Sequence, residues 1–214
     1  MFRMLLAALA LCFTATPAAA GVTITFWSHE FGSSFPHAFF TLRGAPDAGG
    51  LPVEANIGFT AKAVTPALLM GSVPGKLDIV KPTYVEGSDA QFSVVLTDAQ
   101  YARILALIAG WDDRLGDGRY NLGKRNCIHF VKEAARIAGL SMLDHPKLMK
   151  RPRSYLLAVR EANAGRITVI GLDGDKWKAA LPAVAATAPV PLVLVMSPPP
   201  LPRGSGGMAT FIKS

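Results

Sequence analysis

The chain has 214 residues, of which 50% are hydrophobic, and carries a formal net charge of +7. Its length fits one domain of ordinary size followed by a tail. No segment beyond the first twenty residues is apolar for long enough to cross a bilayer, which excludes a membrane-spanning helix there. The basic charge favours peripheral contact with an anionic envelope surface, either phospholipid or wall polymer, although an ordinary solvated surface accounts for it equally well.

The first twenty residues have the layout of a secretory signal peptide. Arg3 precedes an apolar run over 4–13, and Ala18-Ala19-Ala20 before Gly21 fits a small-residue cleavage site. We therefore expect a secreted or periplasmic protein. Cleavage there leaves Cys127 as the remaining cysteine, so the mature chain has no partner for an internal disulfide. Cys127 is then either a buried residue that serves packing or a residue whose thiol takes part in chemistry.

The front half of the chain predicts a sheet. Alternating or aromatic, β-prone patterns predict strands over 22–27, 36–42, 53–59, 76–85 and 91–96. A Gly/Pro-rich turn over 44–50 separates the second and third of them. One short helix is expected after Thr65-Pro66, because Pro suits a first helical position and Gly71 follows the apolar run.

The second half predicts helices. Thr97 and Gln100 form a capping box that opens a helix to about Ala109. Asn126 is a good N-cap and Gly139 a good C-terminal stop for the next helix, which carries an apolar stripe. A third helix over 154–162 and a strand over 166–172 follow. We expect a domain over 21–180 and a Pro/Gly-rich tail over 181–214. Roughly the last 15 to 20 residues of that tail are interpreted as a disordered segment or a wall-spanning spacer.

Cys127 lies one residue inside the predicted helix after Asn126. Unpaired N–H groups and the helix dipole favour an anion at that position, so the pattern predicts a lowered thiol pKa and a reactive thiolate. The same amides suit the oxyanion that forms when a thiolate attacks a carbonyl. Lys124 and Arg125 add positive charge beside it. The alternative is that Cys127 only heads the apolar stripe.

Four histidines are candidates for the base that such a nucleophile needs. His129 is two residues after Cys127 and points away around the helix, and His145 falls in a loop. His37 opens a predicted strand and is the preferred base, which we expect within about 4 Å of the thiol. His29 is the reserve. A His29/His37 metal pair lacks a third ligand, so we expect no metal and no cofactor.

The segment Asn126-Cys-Ile-His-Phe-Val131, preceded by Tyr120-Asn-Leu, resembles the cysteine box of the lecithin–retinol acyltransferase-like group, a permuted branch of the NlpC-type papain-like superfamily. The segment Pro36-His-Ala-Phe-Phe-Thr-Leu-Arg-Gly44 resembles its histidine strand, and the order of the two segments matches the permutation. The resemblance covers about 37–140. It implies an α+β fold in which an antiparallel sheet packs against the helix that bears the nucleophile.

The resemblance also implies the site and its chemistry. Cys127 would be the nucleophile, His37 the general base, and a polar residue of the next strand would orient the imidazole. Asn56 is the predicted orienting residue and Glu54 the reserve. Ile128 stands where the acyltransferases often have Glu, a departure from their pattern. We expect a cysteine hydrolase or acyltransferase acting on cell-wall peptide amides or lipid acyl esters, with no nucleic-acid partner. A non-catalytic envelope-binding module is the alternative.

Overall fold

The computed structural model describes residues 21–30 and 35–181. The predicted signal peptide and almost all of the predicted tail lie outside these residues. The described chain is of the α+β class, as predicted, and its seven strands form one antiparallel sheet in the order β6-β4-β3-β2-β1-β5-β7. The strands are β1 Thr23–His29, β2 His37–Gly44, β3 Val53–Ala61, β4 Val73–Asp78, β5 Asp89–Val95, β6 Arg119–Tyr120 and β7 Thr168–Asp173.

Six α-helices accompany the sheet in the described ranges. They are α1 Ala67–Met70, α2 Pro82–Glu86, α3 Asp98–Trp111, α4 Cys127–Ile137, α5 Pro152–Ala162 and α6 Gly174–Ala180. Single 3-10 turns cover Pro146–Leu148 and Ala164–Arg166. Within these ranges no helix is long and apolar enough to span a bilayer.

The central strands β1 and β2 are buried on both faces, whereas the edge strand β7 is largely exposed. One face, with Phe26, Phe40 and Phe59, packs against α3, α4 and α5 and forms the main core. The other face carries a smaller cluster in which Trp27 and Phe39 contact residues of α2 and α6. Consecutive side chains of a strand point to opposite faces, so the adjacent Phe39 and Phe40 serve the two clusters.

Most predicted elements are confirmed, with shifts of a few residues at their ends. The predicted strand over 76–85 is wrong beyond Asp78. The chain turns there, and Pro82 takes the first position of α2, where its fixed φ and missing N–H cost nothing. Helix α6 and the two-residue strand β6 were not predicted. Helix α6 is held by Trp177, whose ring meets Trp27 edge-on at 4.9 Å between centroids.

Helix α4 is anchored by a buried side chain that uses both of its polar atoms. Asn126 Oδ1 accepts hydrogen bonds from the N–H groups of Ile128 (2.9 Å) and His129 (3.1 Å). Its Nδ2 donates to the carbonyls of Leu122 (2.8 Å) and Met149 (2.7 Å). Ser, Thr and Asp cap helices as well as Asn does. Those three residues have no side-chain amide group to donate to the Leu122 and Met149 carbonyls. The need to satisfy both carbonyls explains why this position has Asn.

We expect Asn126→Ala to lower the free energy of unfolding by about 2 kcal/mol or more, because a cap is lost and buried polar groups lose their partners. Thr97→Ala removes the exposed cap of α3 and should cost about 1 kcal/mol. Asn126→Asp keeps the cap oxygen but loses the two donated bonds, so it should also be destabilising. Urea denaturation of the three variants tests this ranking. Equal losses for Asn126→Ala and Thr97→Ala would contradict it.

Candidate functional site

Cys127 is the first residue of α4 and is almost completely buried. Hydrogen bonding from the backbone N–H groups of Ala38, Ile128 and Cys127 itself favours the thiolate form of its sulfur. Ala38 is the second residue of β2 and directly follows His37. The N-terminus of α4 therefore seats the sulfur against the beginning of the strand that carries the predicted base.

Burial governs the chemistry of this thiol. Desolvation raises the pKa of Cys127 to about 11, and the three N–H groups only partly offset it. The rise corresponds to roughly 3 kcal/mol against the thiolate, which exceeds the ~1 kcal/mol that a helix N-terminus supplies to an exposed anion. The expectation of a lowered pKa is therefore wrong for the unliganded protein. At neutral pH Cys127 is a thiol.

The basic neighbour expected to assist the thiol is engaged elsewhere. The Arg125 guanidinium lies over the Trp111 ring at 3.6 Å and donates to the Asp117 carbonyl at 2.5 Å. This stacking holds the loop before α4 against the main core. Arg125 thus helps to hold the helix in place and is not among the groups that stabilise a thiolate at Cys127.

His37, the first residue of β2, is buried beside aromatic rings. Its ring stacks on Phe39 at 6.1 Å and meets Tyr84 at 6.5 Å between centroids. Burial lowers the pKa of His37 to about 4, the Asp78 charge opposes that shift, and His29 adds to it. The imidazole is therefore neutral at physiological pH and has an unprotonated nitrogen that is able to accept a proton.

Tyr84 and Tyr120 connect the two predicted residues. The negative charge of an ionised Cys127 would add to the rise in pKa of both phenols, behind the larger effect of burial. Tyr84 also contacts the His37 ring, and Tyr120 lines a cleft of about 410 Å³ together with His37. Cys127 and His37 thus share one neighbourhood at the head of β2. The N–H of Cys127 also acts on the Tyr120 hydroxyl.

The cleft has an apolar lining with few polar groups. Its apolar side chains are those of Phe35, Pro36, Ala61, Val64, Leu68 and Leu122, and Asp78 is the carboxylate among the described residues that line it. Such a lining is typical of small-molecule sites, where a few polar groups set orientation. The His37 and Tyr120 side chains supply a base and a hydroxyl donor at its wall.

The structure places the predicted orienting residues away from His37. Asn56 lies opposite Thr41 and Glu54 opposite Arg43, so both are farther along β2 than His37. They line a different cleft, of about 390 Å³, beside Trp177. Among the described residues, neither Asn56 Oδ1 nor His37 Nε2 has a hydrogen-bond partner. The predicted contact from Asn56 to the imidazole is not formed in this structure.

The other histidines have structural contacts. His29 Nδ1 lies 3.0 Å from Ser88 Oγ, and the His29 ring stacks on Tyr84. His129 Nδ1 accepts from the Asn126 N–H at 3.3 Å and completes the capping box, in line with the packing or hydrogen-bonding role expected of it. His145 meets the Tyr155 ring edge-on. No group of three metal-binding side chains occurs in the described ranges.

Gly58 provides the space for the His37 ring. It lies on β3, and a Cβ at this position would overlap His37 Nε2 and approach Phe39 Cβ to 3.3 Å. The ring therefore leans from β2 across β3. Sequence reasoning missed this residue because a glycine within a strand does not reveal which neighbouring side chain covers it.

We expect Gly58→Ala to displace the His37 ring while leaving the sheet intact, because the added methyl group competes with the imidazole for the same space. His37 should become more exposed, and its pKa should rise from about 4 toward its usual value. Histidine NMR titration measures this change. Gly110→Ala, where a Cβ meets nothing within 4 Å, is the matched control. An unchanged His37 titration in Gly58→Ala would contradict the packing described here.

Comparison with protein-family models, curated proteins and solved structures finds no match to this chain.

Proposed function

We propose that the protein is an exported cysteine hydrolase or acyltransferase that forms an acyl-thioester on Cys127, with His37 as the general base, on a permuted papain-like fold. The observation that carries the proposal is the burial of a thiol at the N-terminus of α4, beside the backbone of Ala38, the residue that follows the neutral His37. Covalent acyl transfer by a thiol needs a base within reach of the sulfur, and we assign that role to His37. The N-terminal segment over 1–20 supports export.

The neutral forms of both groups imply a general-base mechanism. His37 takes the thiol proton as the sulfur attacks the carbonyl carbon, a C–S bond forms, and the carbonyl π pair moves to oxygen. Collapse of the intermediate expels an amine or alcohol, which takes the proton back from His37. Water or another acceptor, deprotonated by His37, then attacks the thioester and releases the acyl product.

One donor is suited to the oxyanion. Asn126 Oδ1 occupies the N–H groups of Ile128 and His129, so these are not available to substrate. The Cys127 N–H is engaged by the Tyr120 hydroxyl oxygen. The Tyr120 O–H remains, and burial raises the pKa of Tyr120, which keeps its proton in place for donation. We assign the oxyanion to this hydroxyl.

Cell-wall peptide amides are the first substrate class that we propose. They lie in the compartment to which the signal peptide would direct the chain, and a net charge of +7 suits an anionic envelope polymer. A cysteine acyl-enzyme formed from a peptide amide would release an amine on acylation and a carboxylate on hydrolysis.

Lipid acyl esters are the second candidate class, because apolar side chains surround the mouth of the cleft. Phe35 and Val64 line the cleft and are each 62% exposed. On helix α1, Leu69 and Met70 follow the cleft residue Leu68 and are 83% and 88% exposed. Exposed apolar groups around a site are typical of contact with a lipid or protein surface.

We expect the wild-type protein to gain one acetyl group on Cys127 when treated with p-nitrophenyl acetate, with a burst of nitrophenol. Cys127→Ala and His37→Ala should lose the burst, because one lacks the nucleophile and the other the base. His129→Gln is the matched control, since Gln at the third helical position retains a capping acceptor. Intact-mass and peptide-mass spectrometry identify the acylated residue. A wild-type protein that is never acylated would favour the non-catalytic envelope-binding module.

The substrate classes are separated by the product released. Cell-wall muropeptides should yield new amino groups, whereas anionic phospholipid vesicles should yield fatty acid. If vesicles are the substrate, Leu69→Ser and Met70→Ser should reduce fatty-acid release without changing acetylation by p-nitrophenyl acetate, because both side chains are exposed. Fatty-acid release with no amine release would overturn the cell-wall assignment.

A further inference from the structure

The described structure contains a buried nitrogen that lacks a partner at the proposed site. His37 Nε2 is buried and has no hydrogen-bond partner among the residues that the structure describes. A buried polar atom without a partner costs free energy, and one that persists at a site is a candidate for a role in function. If Cys127 uses one nitrogen of the ring, the other needs an acceptor that fixes the tautomer.

The strand register places a carboxylate beside the residue over which this nitrogen lies. Nε2 lies over Gly58, at the place where a side chain of β3 would otherwise project. Gly58 pairs with Asp78, the last residue of β4. Paired residues of an antiparallel sheet project from the same face, so the Asp78 side chain emerges on the face that the imidazole covers.

We propose that Asp78 is the positioning residue of His37, accepting a hydrogen bond from Nε2 across the gap left by Gly58. Asp78 and His37 line the same cleft. The inference rests on the proposed function, in which the Nδ1 atom of His37 then faces the Cys127 thiol. Asp78 replaces Asn56 in this role because the gap at Gly58 directs the ring toward β4.

The present surroundings of Asp78 leave its carboxylate able to turn toward the ring. Its side chain is 33% exposed, and its Oδ1 lies 3.7 Å from Lys76 Nζ, a loose ion pair at the sheet surface. Such exposed pairs add little stability, so little holds the carboxylate against rotation. Hydrogen bonds of a catalytic site are often long in the unliganded enzyme and tighten with substrate.

The charges around the ring are consistent with this assignment. Asp78 is the group whose charge favours the imidazolium, while His29 on β1 opposes it. Tyr84 on α2, Tyr120 on β6 and Cys127 on α4 are neutral at pH 7, because burial raises the pKa of each. An imidazolium that forms during acylation therefore has Asp78 as its anionic neighbour.

The test compares Asp78→Asn, Asp78→Glu and Lys76→Ala with wild type. Asp78→Asn should lower the acylation rate by roughly tenfold to a hundredfold across the pH range and lower the pKa of His37. Asp78→Glu should restore part of the rate, since it retains a carboxylate. Lys76→Ala removes the other half of the ion pair and should leave both quantities near wild type.

Histidine NMR separates this proposal from the proposed function, since it requires no activity. A His37 pKa that falls in Asp78→Asn supports the positioning role even if no substrate acylates Cys127. The assignment is overturned if Lys76→Ala reproduces the effects of Asp78→Asn, which would indicate general destabilisation. It is also overturned if Asn56→Ala, rather than Asp78→Asn, lowers the pKa and the rate, since Asn56 would then be the orienting residue.

Discussion

The seating of the α4 N-terminus against the head of β2 is the contact on which the rest of the site depends. Asn126 holds it by bonding two amides of the helix and two carbonyls of the surrounding loops. Arg125 adds a stacking contact to Trp111 on the neighbouring side. Because the loops before and after the helix are bonded to one side chain, the helix end that carries the sulfur is held in place, and the N–H groups of Ala38, Ile128 and Cys127 act on the sulfur itself.

This seating carries an electrostatic consequence. Packing the helix end into the sheet removes water from the thiol, and Phe39 and Tyr84 pack against the buried imidazole, so each group favours its neutral form. The helix dipole and three N–H groups act in the opposite direction but are weaker than desolvation. At neutral pH the unliganded protein therefore has a thiol and a neutral imidazole, not a thiolate–imidazolium ion pair. In the proposed reaction the charge appears only as acylation proceeds, and an oxyanion donor and a carboxylate near His37 would have most effect at that stage.

Local patterns in the sequence predict the elements that local interactions determine. The capping boxes at Thr97 and Asn126 are confirmed by the hydrogen bonds of the structure. Helix α6 depends on the long-range contact of Trp177 with Trp27, and α2 on the turn that follows β4. Strand patterns could not separate these short helices from strand or tail, because the signals come from contacts distant in sequence.

In the candidate site, too, some features follow from local sequence and others from the tertiary structure. Cys127 and His37 can be selected from the chain because a helix start and a strand start mark them. The surroundings of His37 depend on the register of β2, β3 and β4, and a sequence carries little information on register. The sequence favoured Asn56 since it is polar and lies on the next strand. The structure instead directs the ring over Gly58 toward Asp78. The direction of the thiol pKa was also missed, because burial is a tertiary property.

A pH titration of Cys127 and His37 in the same preparation tests the neutral pair most directly. Thiolate absorbance in the ultraviolet, taken as the difference between wild type and Cys127→Ser, reports the thiol, and histidine NMR reports the imidazole. The account predicts no thiolate signal at neutral pH, with ionisation near pH 11, and a His37 that stays neutral until about pH 4. A thiolate signal at pH 7 that accompanies a protonated His37 would show an ion pair and contradict the account.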